Sequence, residues 1–315
     1  MSIAFVFPGQ GSQTVGMGRD LAERYPAAKA VFDEIDDALG QALSKVMWEG
    51  PAETLTLTEN AQPALMAVSL AVVRVLEAEH AIKIADKAKF VAGHSLGEYS
   101  ALAAAGTFSL ADTARLLRLR GQAMQRAVPV GIGAMTALLG VGMDVAKKVA
   151  AAAAQGDVCQ VANDNEPTQV VLSGHKTAID RVPEVGKAHG VRRAMMLPVS
   201  APFHCALMQP AADAMAGALA DVTMKAPVVP VIANVLAAPI SDPDDIRRRL
   251  VEQVCGTVRW RESVLAMTAA GVTQLYELGT GKVLSGLAGR IDKALKATPV
   301  GLPADIDAAV AALSA

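Results

Sequence analysis

The sequence predicts an α/β protein built on a mostly parallel sheet, with a small ferredoxin-like subdomain inserted into it. Three observations carry this. Short apolar strands alternate with helical stretches along most of the 315 residues, the pattern of parallel strands joined by crossover helices. Between about Val128 and Val199 the order becomes β-α-β-β-α-β, which closes on itself as four strands and two helices. Apolar residues make up 52% of the chain and charged ones 19%, enough to build a large core without metals or disulfides. The expected division is 1–127 with 200–315 as the large subdomain and 128–199 as the small one.

Each element has its own justification. Ile3–Phe7 is a short buried strand running into a glycine-rich turn. Helical patterns follow at Gly18 to Tyr25 and at Ala27 to Leu43, the second with apolar residues near a 3.6 period. Pro63 is expected to open a helix through Ala64 to Ala78, because its missing amide is harmless in a first turn. Phe90 to Gly93 is a second strand, with helices predicted at Glu98 to Ala105 and Leu110 to Arg126. In the insertion, strands are predicted at Gly133 to Val141, Val158 to Ala162, Gln169 to Ser173 and Val191 to Val199. Its helices are Asp144 to Gln155 and, despite Pro183, Thr177 to His189. Beyond it come a helix at Pro210 to Leu219, a strand at Val228 to Ile232, a helix at Ile246 to Val254 and a strand at Gln274 to Leu278. The last strand leads into Gly279-Thr280-Gly281-Lys282 and a helical tail.

Composition narrows the function classes. A net charge of −2 argues against nucleic-acid binding driven by bulk phosphate attraction. Charge-poor stretches at Met1 to Gly18, Ala127 to Met143, Ala194 to Ala212 and Ala226 to Ser241 are broken by glycine, proline or polar residues. None is an apolar run of about 20 residues, so neither a membrane helix nor a signal peptide is expected. Three scattered cysteines, Cys159, Cys205 and Cys255, form no C-x-x-C pair, and no zinc-type spacing is present. Reduced thiols in the cytoplasm are the expectation.

The chemistry centres on Gly93-His94-Ser95-Leu96-Gly97, a G-x-S-x-G pattern between a strand and a helix. In that context it reads as a nucleophile elbow, in which the glycines permit a tight turn and the following helix offers amides to an oxyanion. Among the five histidines, His94 points away from its neighbour in such a turn. His80, His175 and His189 lie at helix or turn ends. His204 stands in a proline-flanked loop where the insertion rejoins the larger part, a position suited to a general base and equally open to an ordinary loop histidine. No acid between Ser95 and His204 stands out as a third member, so a backbone carbonyl or an amide side chain is left to orient the imidazole. Arg120, at helical spacing from Arg115 and Arg118, reads on spacing alone as part of a solvated face.

Taken together, several segments resemble the malonyl-CoA:acyl carrier protein transacylase family. They are Phe7-Pro8-Gly9-Gln10-Gly11-Ser12-Gln13, Gly93-His94-Ser95-Leu96-Gly97-Glu98-Tyr99 and Arg120-Gly121, then Gln169 to Gly174, Phe203-His204, Gln253 and Tyr276-Glu277-Leu278-Gly279. The resemblance implies a hydrolase-like α/β core with a ferredoxin-like insertion. It implies Ser95 as nucleophile and His204 as base, the main-chain amides of Gln10 and Leu96 as oxyanion hole, and Arg120 as the grip on the free carboxylate. It also implies that the Gln253 carbonyl steadies the histidine. Malonyl-CoA and phosphopantetheinylated acyl carrier protein would be substrates, with no cofactor, no metal, no nucleic acid and no membrane partner.

Phe203 resembles the form associated with malonyl over methylmalonyl selection. A free-standing chain favours the fatty-acid pathway, and a monomer is the default. An acidic carrier calls for a basic rim, for which Lys187 with Arg192 and Arg193, or Arg247 to Arg249, are candidates. A serine thioesterase or esterase and a non-catalytic carrier-binding module are the rival readings.

Overall fold

A computed structural model describes residues 2–314. The chain opens with β1 (Ile3–Phe7), followed by α1 (Arg19–Arg24), α2 (Pro26–Leu39), α3 (Leu43–Glu49), α4 (Ala52–Thr56), α5 (Thr58–His80) and α6 (Ile84–Lys87). Then come β2 (Ala88–Gly93), α7 (Leu96–Ala104) and α8 (Leu110–Ala127). The next segment runs β3 (Gly133–Leu139), α9 (Met143–Ala154), β4 (Cys159–Glu166), β5 (Gln169–His175), α10 (Lys176–Ala188) and β6 (Arg193–Met196). The chain returns through α11 (Gln209–Ala220), β7 (Val231–Ala233), β8 (Ala238–Ile240), α12 (Pro243–Cys255) and α13 (Trp260–Ala269). It ends with β9 (Gln274–Leu278), α14 (Val283–Ile291), β10 (Lys296–Val300) and α15 (Pro303–Ser314).

One sheet has the order β10-β9-β1-β2-β7-β8, parallel throughout except that β8 turns back antiparallel on β7. β1 lies inside it and is covered on both faces, which is why Ile-Ala-Phe-Val-Phe is apolar without alternation. The second sheet, β4-β5-β3-β6, is antiparallel and has the strand order of a ferredoxin-like unit, with α9 and α10 crossing between its strands. The two sheets are joined where the Asp164 amide donates to Val258 O at 2.9 Å and the Val258 amide donates to Ala162 O at 2.9 Å. Beside this junction Arg261 pairs at 2.8 Å with Asp164, whose side chain has no exposed surface.

The deepest helix is α5. By length and composition it is apolar enough to cross a membrane, but 83% of that apolar stretch is buried here, against α2, α7 and α8. It is a core helix. α8 crosses it closely because Gly121 has no side chain, and a Cβ there would lie 2.5 Å from Glu59 Cα. That approach brings Arg120, the preceding residue, onto the α5 side chains.

Several elements differ from expectation, each for a local reason. The helix predicted over Ala27 to Leu43 stops at Leu39, where Gly40 takes a left-handed φ of 58° and α3 starts afresh. α5 begins at Thr58 and carries Pro63 within it, since the tight α5–α8 contact holds the first turn in place before the proline. The strands β8 and β10 and the helices α3, α4 and α13 lack a strong sequence signal and are held by packing. β6 is four residues long instead of nine, and after Met196 the chain leaves the sheet toward the cleft.

Candidate active site

Ser95 sits between β2 and α7 with φ 54° and ψ −109°, strained values for a residue with a side chain. The turn is possible only because both flanking glycines lack a Cβ. At Gly93 it would lie 1.9 Å from Gly97 O, and at Gly97 it would lie 2.3 Å from Phe7 O. The strain is held by Asn234, whose Oδ1 accepts the Ser95 amide at 2.8 Å and whose Nδ2 donates to Gly93 O at 2.7 Å. The Ser95 amide is therefore occupied, while the amides of Leu96 and Gln10 make no hydrogen bond to another described residue. Both residues line the cleft, where two free donors can meet an oxyanion.

The Ser95 hydroxyl lies 2.8 Å from His204 Nε2, and His204 Nδ1 lies 2.9 Å from Gln253 O. A carbonyl can only accept, so Nδ1 carries the proton and Nε2 is left to accept from the serine. Burial, and next the positive charge of Arg120, push the His204 pKa down to about 3. The imidazole is thus neutral at ordinary pH. His204 is itself in the left-handed region, φ 58°, at the tip of the loop that leaves the small sheet.

Arg120 is 1% exposed, so the solvated-face reading does not hold. Arg115 on the same helix is exposed, whereas Arg118 is half-buried and donates to Gln41 at 2.5 Å. Arg120 Nη1 donates to Gln62 Oε1 at 2.7 Å, and Nη2 donates to Gln253 Oε1 at 2.9 Å and to Ser95 Oγ at 3.1 Å. Its Nε has no partner among the described residues. The guanidinium lies over the Tyr99 ring, 5.6 Å from the centroid, and burial lowers its pKa.

These groups face a cleft of about 790 Å³. The turns after β1 and β2 supply Gln10 and Ser95 to its lining, α8 supplies Arg120 and Met124, and the small sheet with the segment that leaves it supplies Met135, Asn163 and Leu197 to Ser200. Phe203 lines it directly before the histidine. His94 also lines the cleft, but its Nε2 lies 2.9 Å from Asn165 Oδ1 and makes no hydrogen bond to Ser95 or His204. The six residues singled out in the sequence thus meet in one place.

Four further residues complete the network around them. Gln62 and Asn234 carry no sequence signal at all. Thr58 links Gln62 to the Gln10 side chain, accepting from Gln62 Nε2 at 2.9 Å and donating to Gln10 Oε1 at 3.1 Å. Glu98 stands in the elbow motif itself and is buried, its pKa pushed up to about 7 by desolvation.

The chain is similar to proteins of known activity. Residues 4–278 match the family described as Acyl transferase domain. A malonyl CoA-acyl carrier protein transacylase from Escherichia coli is 48% identical, with 98% of each chain covered. The crystal structure of an acyl-carrier-protein-S-malonyltransferase from Bartonella henselae is 56% identical, covers 100% of both chains and superposes with a TM-score of 0.97. A structure of a type II PKS acyl-carrier protein in complex with its malonyl-transacylase is 42% identical, covers 99% of this chain and 100% of that one, and has a TM-score of 0.95.

Proposed function

From the premise that the chain belongs to the acyl transferase family, we propose that Ser95 carries the acyl group, His204 shuttles its proton and Arg120 holds the far carboxylate. The activity is transfer of malonyl from coenzyme A to acyl carrier protein. The observation that carries the residue roles is that one hydroxyl, Ser95 Oγ, lies between a neutral imidazole and a buried guanidinium.

In the first half-reaction the Ser95 proton passes to His204 Nε2 as Oγ attacks the thioester carbon. The developing oxyanion takes the Gln10 and Leu96 amides, and the positive end of α7 adds to them. The C–S bond then breaks, and the coenzyme A sulfur leaves with the proton from His204. The Gln253 carbonyl stabilises the imidazolium in between, taking the place of the usual acid. The malonyl-serine ester keeps its carboxylate on Arg120, whose Nε–H is free to complete a two-point grip. In the second half-reaction the carrier thiol gives its proton to His204 and attacks the ester, and Ser95 recovers the proton on leaving. This is ping-pong transfer needing no cofactor.

The carrier docks, on this reading, by the small sheet. Arg192, Arg193 and Lys187 are exposed there, and the strand that follows them leads into the cleft-lining residues Leu197 to Ser200. The alternative edge is already neutralised, because Arg247 pairs with Asp244, Arg248 with Asp245, and Arg249 with both Asp245 and Glu252. A cytoplasmic, fatty-acid carrier fits the same reading.

Incubation with malonyl-CoA and intact-mass measurement tests it. The expected result is a malonyl adduct that is absent in Ser95→Ala and that passes to added carrier protein. Release of free malonate without transfer would point to a thioesterase instead.

A further inference from the structure

The dyad has no acid on its histidine, yet a carboxylate is buried one amide away. Glu98 Oε2 accepts from Gln253 Nε2 at 2.7 Å and from the Asn234 amide at 3.0 Å. Each of these partners holds reacting groups. Gln253 presents its backbone carbonyl to His204 and its Oε1 to Arg120, and its Nε2 also lies 3.1 Å from Ser95 O. Asn234 holds the Ser95 amide and Gly93 O.

The Gln253 side-chain amide can point in two ways, and only one suits the site. With Nε2 toward Glu98, it meets that carboxylate at 2.7 Å and the longer acceptors Ser95 O at 3.1 Å and Asn234 Oδ1 at 3.4 Å, and Oε1 faces the guanidinium. Flipped, its NH₂ would face the Arg120 donors and leave Glu98 opposite a second oxygen. An acceptor at position 98 selects the first orientation.

We propose that Glu98 is a positioning residue which, by fixing the amide orientation of Gln253, aims Arg120 at the substrate carboxylate and so sets the preference for malonyl over acetyl thioesters. The inference rests on the functional reading above. It explains why a carboxylic acid is kept buried without touching the histidine. What is required is the acceptor oxygen, in either protonation state, since a carboxylic acid retains a carbonyl oxygen that can accept both hydrogen bonds.

The test compares loading of Ser95 from malonyl-CoA and from acetyl-CoA in Glu98→Met and Glu98→Gln. Methionine has nearly the same length and no acceptor of comparable strength, so the malonyl-to-acetyl ratio of kcat/KM is expected to fall about tenfold or more, the worth of one hydrogen bond to a charged group. Glutamine keeps an oxygen in place and is expected to stay within about threefold of the parent ratio.

In an Arg120→Ala background, Glu98→Met is expected to leave the ratio unchanged, because the group it aims is gone. A purely structural role would lower both substrates together and leave the ratio intact in Glu98→Met, which would overturn the proposal. If Glu98→Met does not fold, Glu98→Asp withdraws the oxygen by one methylene. It is then expected to reduce the ratio at least threefold, and an unchanged ratio overturns the proposal. A parent protein with no malonyl preference would refute the functional reading and not this inference alone.

Discussion

His204 stays neutral because it is buried, and no acid stands against its imidazole. Desolvation, with Arg120 adding to it, holds its pKa near 3, so the folded protein resists protonation where an ordinary histidine at about 6.5 would charge. The sign for stability follows: as pH falls through about 6.5 the unfolded chain takes the proton first, and stability declines while the base stays neutral. Phosphonylation of Ser95 by a neutral activated phosphonate ester, with loss of its phenoxide leaving group, is therefore expected to be constant from about pH 8 to about pH 5. Arg120→Ala should move the acid limb upward, since one charge opposing protonation is removed. A parent limb near 6.5 would contradict this. The same variant is expected to lose about tenfold or more in kcat/KM for malonyl-CoA, the worth of a charge-assisted pair, with acetyl-CoA unaffected or improved in the same competition assay.

At the scale of elements, the site depends on two close approaches of backbone. The β2–α7 turn needs glycine at both Gly93 and Gly97, and the α5–α8 crossing needs it at Gly121. Clashes with backbone atoms have no side chain to yield, so Gly93→Ala is expected to destabilise by about 3 kcal/mol or more and to abolish loading of Ser95. Thermal denaturation and the adduct assay read the two effects; a fold of unchanged Tm would refute the steric argument. Gly121→Ala acts on a different function, because moving α8 away from α5 separates Arg120 from Gln62. The elbow was legible from spacing, since a strand, a glycine-flanked serine and a helix are contiguous. The α8 contact was not, because nothing near Gly121 in the chain says which helix it meets.

Over the whole molecule, the cleft is lined from both the large part and the small antiparallel sheet. The Asp164–Arg261 pair and the hydrogen bonds of Val258 with Ala162 and Asp164 join the two parts. This arrangement sets His204 against the Ser95 hydroxyl, while Arg192 and Arg193 of the small sheet are exposed. Charge reversal at Arg192 and Arg193 is expected to raise the KM for carrier protein severalfold and leave the coenzyme A half-reaction unchanged. Reversal at Arg248, which is already paired with Asp245, should do little. Equal effects on both half-reactions would place docking elsewhere.

Alternating strands and helices, the β-α-β-β-α-β insertion and the glycine-flanked serine are local patterns, and the chain alone therefore specified the fold class and marked Ser95 as the candidate nucleophile. Residue spacing also marked His204 as a candidate, while leaving open what orients it. The answer came from folding, which brings residues 95, 120, 204 and 253 from four separate elements within hydrogen-bonding distance. The same is true of Arg120: its helical spacing predicted solvent, and its burial was settled by a glycine contact with a helix some sixty positions earlier. Asn234 and Glu98 act through partners distant in sequence, as Gln62 does toward Arg120. A hydrogen-bond network made of long-range contacts leaves no periodicity behind, so it becomes visible only when the elements are packed.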